Sequence, residues 1–213
     1  MFFRLKLRFL RLFLRLLGYH SYQARRAEEK MLVFRNRWHI YRDEGYITEQ
    51  QHPEKIFQDK HDPHSDLFFV VYGSKIIGSC RLVHDSKLGF PLELYANINM
   101  KNVLRDNMVE VSRLVIEKSH RGRAQKRYAS FMLLSEIYLF ARKNDIEYFI
   151  GTMNKKLSDS LAHFGAEMKK LDELPLQDKH REAREEIKGY YERVKEVYPY
   201  IVTIRSIGTK AKT

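Results

Sequence analysis

Leu67–Tyr72 (LFFVVY) and Lys75–Val83 (KIIGSCRLV) are two apolar runs separated only by Gly73 and Ser74. Short runs rich in Val, Ile and Phe form buried strands, and a two-residue link containing glycine closes such strands into a tight hairpin. This hairpin commits the chain to a sheet. Val109–Ile116 (VEVSRLVI), Glu147–Met153 (EYFIGTM) and Tyr198–Ile207 (YPYIVTIRSI) read as further strands. Helical patterning covers Tyr22–Tyr46, with Gly45 as a C-terminal cap. It returns at Tyr128–Asn144, with Ala129, Leu133, Ile137 and Phe140 inward, and after the strand at 147–153, with Leu157, Leu161, Phe164 and Met168 inward. Leu176–Lys195 reads as a charged helix. Residues 47–66, with Pro53 and Pro63, read as a long loop, and 84–108 as a second irregular stretch. Loops of that length in a compact domain are usually functional or mobile.

The chain has 213 residues, 44% of them hydrophobic, with 13 Phe and 13 Tyr, enough for a substantial core. That length suits one domain, residues 22–213, behind an N-terminal segment, residues 1–21. The single cysteine, Cys80, excludes an internal disulfide and a cysteine zinc site, and suits a reducing compartment. On a strand it reads as a small buried hydrophobe rather than a nucleophile. His61 and His64 lack further ligands at metal-site spacing and read as loop residues, so no metal is expected.

The net charge of +12 is concentrated: residues 1–42 hold eleven Lys/Arg against Glu28 and Glu29, which is +9 of the total. Basic residues elsewhere are nearly balanced and no nucleic-acid motif is present, so no nucleic-acid partner is expected. Met1–Leu17 (MFFRLKLRFLRLFLRLL) places Arg4, Arg8, Arg11 and Arg15 along one helical stripe, with Phe and Leu over most of the remaining surface. The segment is too short and too charged to cross a bilayer. It reads as a helix lying on a membrane surface, its arginines meeting anionic head groups. Packing on the domain or on a second subunit, and an organelle presequence, are the alternatives. The expected location is the inner face of the cytoplasmic membrane.

Four motifs occur in order: Arg37-Trp38 with the wording IYRDEGYI at Ile40–Ile47, Asp59-Lys60-His61-Asp62, Gly78-Ser79-Cys80-Arg81-Leu82, and Glu110-Val111-Ser112-Arg113. From about Arg35 to Lys170 the chain resembles the acyl-homoserine-lactone synthases, and more closely their relatives the N-acyl amino acid synthases. The resemblance implies an α+β (α/β/α) fold of the GNAT N-acyltransferase type, with a central mixed, mostly antiparallel sheet. It implies a bacterial enzyme with no bound cofactor, an acyl group delivered as an acyl carrier protein thioester, and a small amine or amino acid as acceptor. Acyl-CoA is the second possible donor. CoA enzymes of this fold carry glycines in the turn before the helix, whereas Arg121–Lys126 places Ala124 and Lys126 there. Their side chains crowd a pyrophosphate bound to backbone amides. Arg121, Arg123, Lys126 and Arg127 instead suit an acidic carrier helix.

Attack on a thioester needs a neutral amine, a proton acceptor and oxyanion stabilisation. Glu110 is the candidate acceptor, with Ser112 and Arg113 beside it. A regular strand puts Ser112 on the face of Glu110 and Arg113 on the other, unless a bulge intervenes. By the resemblance, Asp59 and Asp62 hold the acceptor ammonium. Arg81 pairs with one of them or with an acceptor carboxylate, and Arg37 and Trp38 are weaker candidates for substrate contact. The alternative is that Glu110–Arg113 and the two aspartates form a structural ion-pair network. At the level of function, a lactone-signal synthase, a CoA-dependent acetyltransferase and a non-catalytic membrane-binding module are the alternatives.

Overall fold

The structure is a computed structural model that describes residues 2–98, 105–121, 127–163, 166–181 and 197–207. Its described elements are α1 (Phe2–Leu16), β1 (Tyr19–Ala24), α2 (Ala27–Asp43), β2 (Ser65–Tyr72), β3 (Lys75–His84), α3 (Leu92–Tyr95), β4 (Met108–Ile116), α4 (Tyr128–Lys143), β5 (Tyr148–Asn154), α5 (Lys155–His163), β6 (Glu167–Lys170) and β7 (Val197–Thr203). The strands are ordered β1-β2-β3-β4-β5-β7-β6. β1 pairs antiparallel with β2, β5 and β6 pair antiparallel with β7, and β4 runs parallel to β5 over Met108–Glu110. The expected mixed, mostly antiparallel sheet of an α+β fold is present.

The chain forms two compact units, Met1–Leu82 with Arg113–Phe140, and Val83–Ser112 with Ala141–Thr213. In the first, Ala24, Val33, Phe34 and Leu67 form one apolar cluster and Trp38, Tyr41, Ile47 and Phe57 another. The second is built on Phe90, Leu92, Ala96, Met108, Ile150 and Leu171. Glycine is required in β3, where a Cβ on Gly78 would lie 2.6 Å from the Val115 carbonyl oxygen of β4. Gly73 adopts φ 60° in the β2–β3 turn, and Gly45 adopts φ 69° just past α2, as a left-handed helix stop requires.

Two expectations are corrected. The helical reading of Tyr22–Tyr46 ran across a strand: residues up to Ala24 belong to β1, and α2 starts at Ala27. Glu29 marks that start, its carboxylate accepting the Arg25 and Arg26 N–H groups at 2.8 and 3.0 Å. YHSYQA lacks a continuous apolar run: its buried positions are Tyr19, Ser21 and Ala24, with the polar His20 and Gln23 between them and Tyr22 exposed. Met168 is likewise in β6 rather than on α5, which ends at His163. Most of the expected helix at 176–195 lies outside the described residues.

α1 packs on α4 within the first unit. Leu7, Arg11 and Leu14 are buried, and the Arg11 guanidinium pairs with Glu136 and donates to Ser135 Oγ at 2.6 Å. Glu136 also accepts from Ser21 Oγ at 3.0 Å. Arg11 therefore departs from the expected lipid-facing stripe. Among the described residues no helix is long and apolar enough to cross a membrane.

Replacing Gly78 by alanine forces β3 and β4 apart. A loss of about 1–3 kcal/mol is expected, read as a lower urea midpoint at unchanged slope.

Candidate active site

The site in the first unit begins with a loop that has little regular structure of its own. Between Gly45 and the single 3-10 turn at Asp62–His64, residues 46–61 contain neither helix nor strand. Hydrogen bonds to neighbouring elements fix this loop. Arg37 comes from α2, Arg81 from β3 and Arg113 from β4, and all three reach Asp59 or Asp62 in it.

Asp62 is the inner anchor, its side chain 4% exposed. Its oxygens accept from Arg37 Nη1 at 3.0 and 3.1 Å, its Oδ1 lies 3.1 Å from Arg81 Nη1, and its Oδ2 accepts the Asp59 N–H at 2.7 Å. Asp59 is the outer carboxylate, 24% exposed. Its Oδ1 accepts from Arg81 Nη1 at 2.6 Å and from the His61 N–H at 2.9 Å, and its Oδ2 accepts from Arg113 Nη2 at 2.9 Å. Burial alone would raise the Asp59 pKa, but Arg81 and Arg113 overcome it and hold this carboxyl well below the usual range. Burial lowers the Arg37 pKa, and Arg81 and Arg113 add to that against the pull of Asp62.

Arg113 has φ 53°, a left-handed conformation within β4. That breaks the regular pleat, as a bulge would. The guanidinium lies over Phe57 and Tyr41, 4.9 and 5.6 Å from the ring centroids, with the Tyr41 hydroxyl at 3.5 Å. Burial disfavours its charge, yet Tyr41 and Asp59 raise its pKa above the ordinary arginine value. Among the described contacts these three guanidinium groups meet two carboxylates. Arg37 Nε and Nη2 are buried without a hydrogen-bond partner. Arg113 is the most open of the three arginines, its side chain 14% exposed against 0% for Arg37 and 1% for Arg81. The arrangement can receive an anionic group at Arg113 and a cationic one at Asp59.

The structure thus gathers Arg37, Asp59, Asp62, Arg81 and Arg113. Trp38 is fully buried in the core, with the Arg42 guanidinium 4.8 Å from its ring centroid. Glu110 lies in the second unit, 5% exposed, and its Oε2 accepts the Leu92 N–H at 2.7 Å. Ser112 is half-buried in the same unit. Arg121 pairs with Glu44 at 2.9 Å and Arg127 is exposed; Arg123 and Lys126, with the altered turn, lie outside the described residues. Burial pushes the Cys80 thiol up to about 12, which suits an inert core residue. The sequence reading missed Tyr41, Phe57 and His61. Tyr41 lies one helical turn from Arg37, a spacing that places it beside the network. His61 is buried with both ring nitrogens unpartnered, and burial lowers its pKa.

The fold is that of GNAT-type acyltransferases. Residues 33–162, more than half of the chain, match the family model described as N-acyl amino acid synthase FeeM. The chain belongs to that family. Its fold is similar to that of BjaI, a CoA-dependent acyl-homoserine lactone synthase solved with SAM and isopentyl-CoA (17% identity, TM-score 0.63, covering 88% of this chain and 83% of that one). It is also similar to the acyl-homoserine lactone synthase LasI (12% identity, TM-score 0.60, 87% and 90%). FeeM itself, an N-acyl amino acid synthase from uncultured soil microbes, matches at 14% identity and TM-score 0.54, over 88% and 91% of the two chains. No curated protein matches by sequence.

Asp62→Ala leaves Arg37 and Arg81 buried without their shared partner, and a loss of about 3–5 kcal/mol in denaturant unfolding is expected. For Asp59 the folded pKa is below the unfolded one. Its stabilisation is therefore complete above the ordinary carboxylate value of about 4 and is lost as the pH falls below it. Asp59→Asn should flatten the stability–pH curve below about pH 4 relative to wild type.

Proposed function

We propose that this protein is an N-acyl amino acid synthase that moves a fatty acyl group from an acyl carrier protein thioester to the α-amine of an amino acid. The observation that carries the reading is the pairing of Arg113, the most open of the three arginines, with Asp59, the more exposed of the two carboxylates. An amino acid brings a carboxylate to Arg113 and an ammonium to Asp59, matching both signs. Arg37, Arg81 and Asp62 position those two groups. Trp38 backs the network from the core.

Before attack the ammonium must lose a proton. Glu110 is proposed as the acceptor, directly or through water, oriented by the Leu92 N–H. Ser112 is its proposed partner in handling the developing charge. The attacking nitrogen forms the amide bond as the carbon–sulfur bond breaks, and the thiol of the donor leaves with a proton.

A carrier protein is favoured as donor over CoA because Ala124 and Lys126 stand where CoA enzymes of this fold carry glycine. Arg121, Arg123, Lys126 and Arg127 supply the positive charge an acidic carrier helix requires. The proposed workplace is the inner face of the cytoplasmic membrane, reached through residues 1–17, because an acylated product partitions into lipid.

Lipid extracts of bacterial cells expressing the wild type should contain new N-acyl amino acids, and Glu110→Gln should abolish them while leaving the far-UV spectrum unchanged. With purified enzyme, Arg113→Lys should lower kcat/KM by about 10- to 100-fold for a free amino acid. The same change should matter far less for the corresponding methyl ester. Equal loss on both acceptors, or a plain amine preferred by the wild type, would sink the amino acid reading. Turnover of acyl-CoA at the rate of the carrier thioester would overturn the donor assignment.

A further inference from the structure

α1 has two apolar faces, and only one is used by the protein. Leu7, Arg11 and Leu14, spaced 4 and 3 apart, face the domain. At about 100° per residue the opposite face carries Leu5, Phe9, Leu12, Phe13 and Leu16. These are 51%, 64%, 57%, 52% and 81% exposed. Arg8 and Arg15 border this stripe on one side and Lys6 on the other, all exposed.

We propose that α1 binds an anionic phospholipid bilayer as a docked wedge: it inserts the Leu5–Phe9–Leu12–Phe13–Leu16 face while its other face stays packed on α4. The inference rests on the membrane-surface reading above and adds which face enters lipid and that the helix does not swing free. The physical argument has two parts. First, release would separate Arg11 from Glu136 and Ser135 and expose Leu7 and Leu14, which lie on the opposite side of the helix and cannot enter lipid together with the outward stripe. Second, the fringe of the stripe is cationic on both sides and α1 contains no Asp or Glu. A second copy docking on the same stripe would set like charges against each other, because a two-fold contact must be self-complementary. Anionic head groups complement both fringes at once. A helix fixed in this way holds the enzyme in one orientation on the surface.

The test is flotation with vesicles of equal parts phosphatidylglycerol and phosphatidylcholine, using the full chain. Wild type is expected to float. Phe9→Glu with Phe13→Glu should lower the bound fraction at least tenfold without shifting Tm, because both side chains are exposed. Glu136→Gln and Arg11→Met loosen the lock, so they should lower Tm while changing vesicle affinity less than twofold. Amide hydrogens of α4 should stay as protected with vesicles as without them. A wild type that does not float overturns the membrane reading and this inference with it. Wild-type flotation that survives the Phe9/Phe13 substitutions overturns only the assigned face. A tenfold gain in affinity on loosening the lock, or loss of α4 protection on binding, would show a released helix instead. A wild-type dimer that Phe9→Glu dissociates, without any flotation, would assign the stripe to a second copy.

Discussion

Asp62 ties its own loop to α2 and to β3. Its carboxylate is almost wholly removed from water, where an ion costs several kcal/mol of lost hydration. It is paired with Arg37 from α2 and Arg81 from β3, and it accepts a backbone amide of its own loop. Removing any partner leaves a buried charge uncompensated. Residues 46–61 therefore need no secondary structure of their own: their position is set by what Asp59 and Asp62 must pair with.

Arg113 shows how the backbone serves this ion-pair network. A non-glycine residue in the left-handed region costs about 1–2 kcal/mol. Here the conformation accompanies ion pairing to Asp59 and a seat over Tyr41 and Phe57. The ion pair and the ring contacts offset the strain, and they hold the guanidinium in one place rather than letting a long side chain sample many.

The N-terminal helix separates two roles that its sequence superimposes. Arginine every three or four residues suggests a single cationic face. In the structure one of those arginines turns inward because Glu136 waits on α4, and the apolar surface left outside is the face opposite. Burial of Leu7 and Leu14 contributes about 1.5–3 kcal/mol each to that docking.

The sequence alone determined the β2–β3 hairpin, β4, β5, α4 and the stop of α2 at Gly45, because each depends on local periodicity or on a backbone conformation that glycine supplies. Motif order also singled out Arg37, Asp59, Asp62, Arg81 and Arg113, which the structure brings together. The sequence did not disclose β1 or β6. YHSYQA and EMKK carry too little continuous apolar character, and their pairing with β2 and β7 is a long-range event. Tertiary structure alone decided who pairs with whom. Two aspartates of the same loop look equivalent in sequence, yet one is sealed beneath two guanidinium groups and the other keeps an open edge beside Arg113. That difference arises from burial, and burial is set by the packing of distant segments rather than by the residues next to each carboxylate.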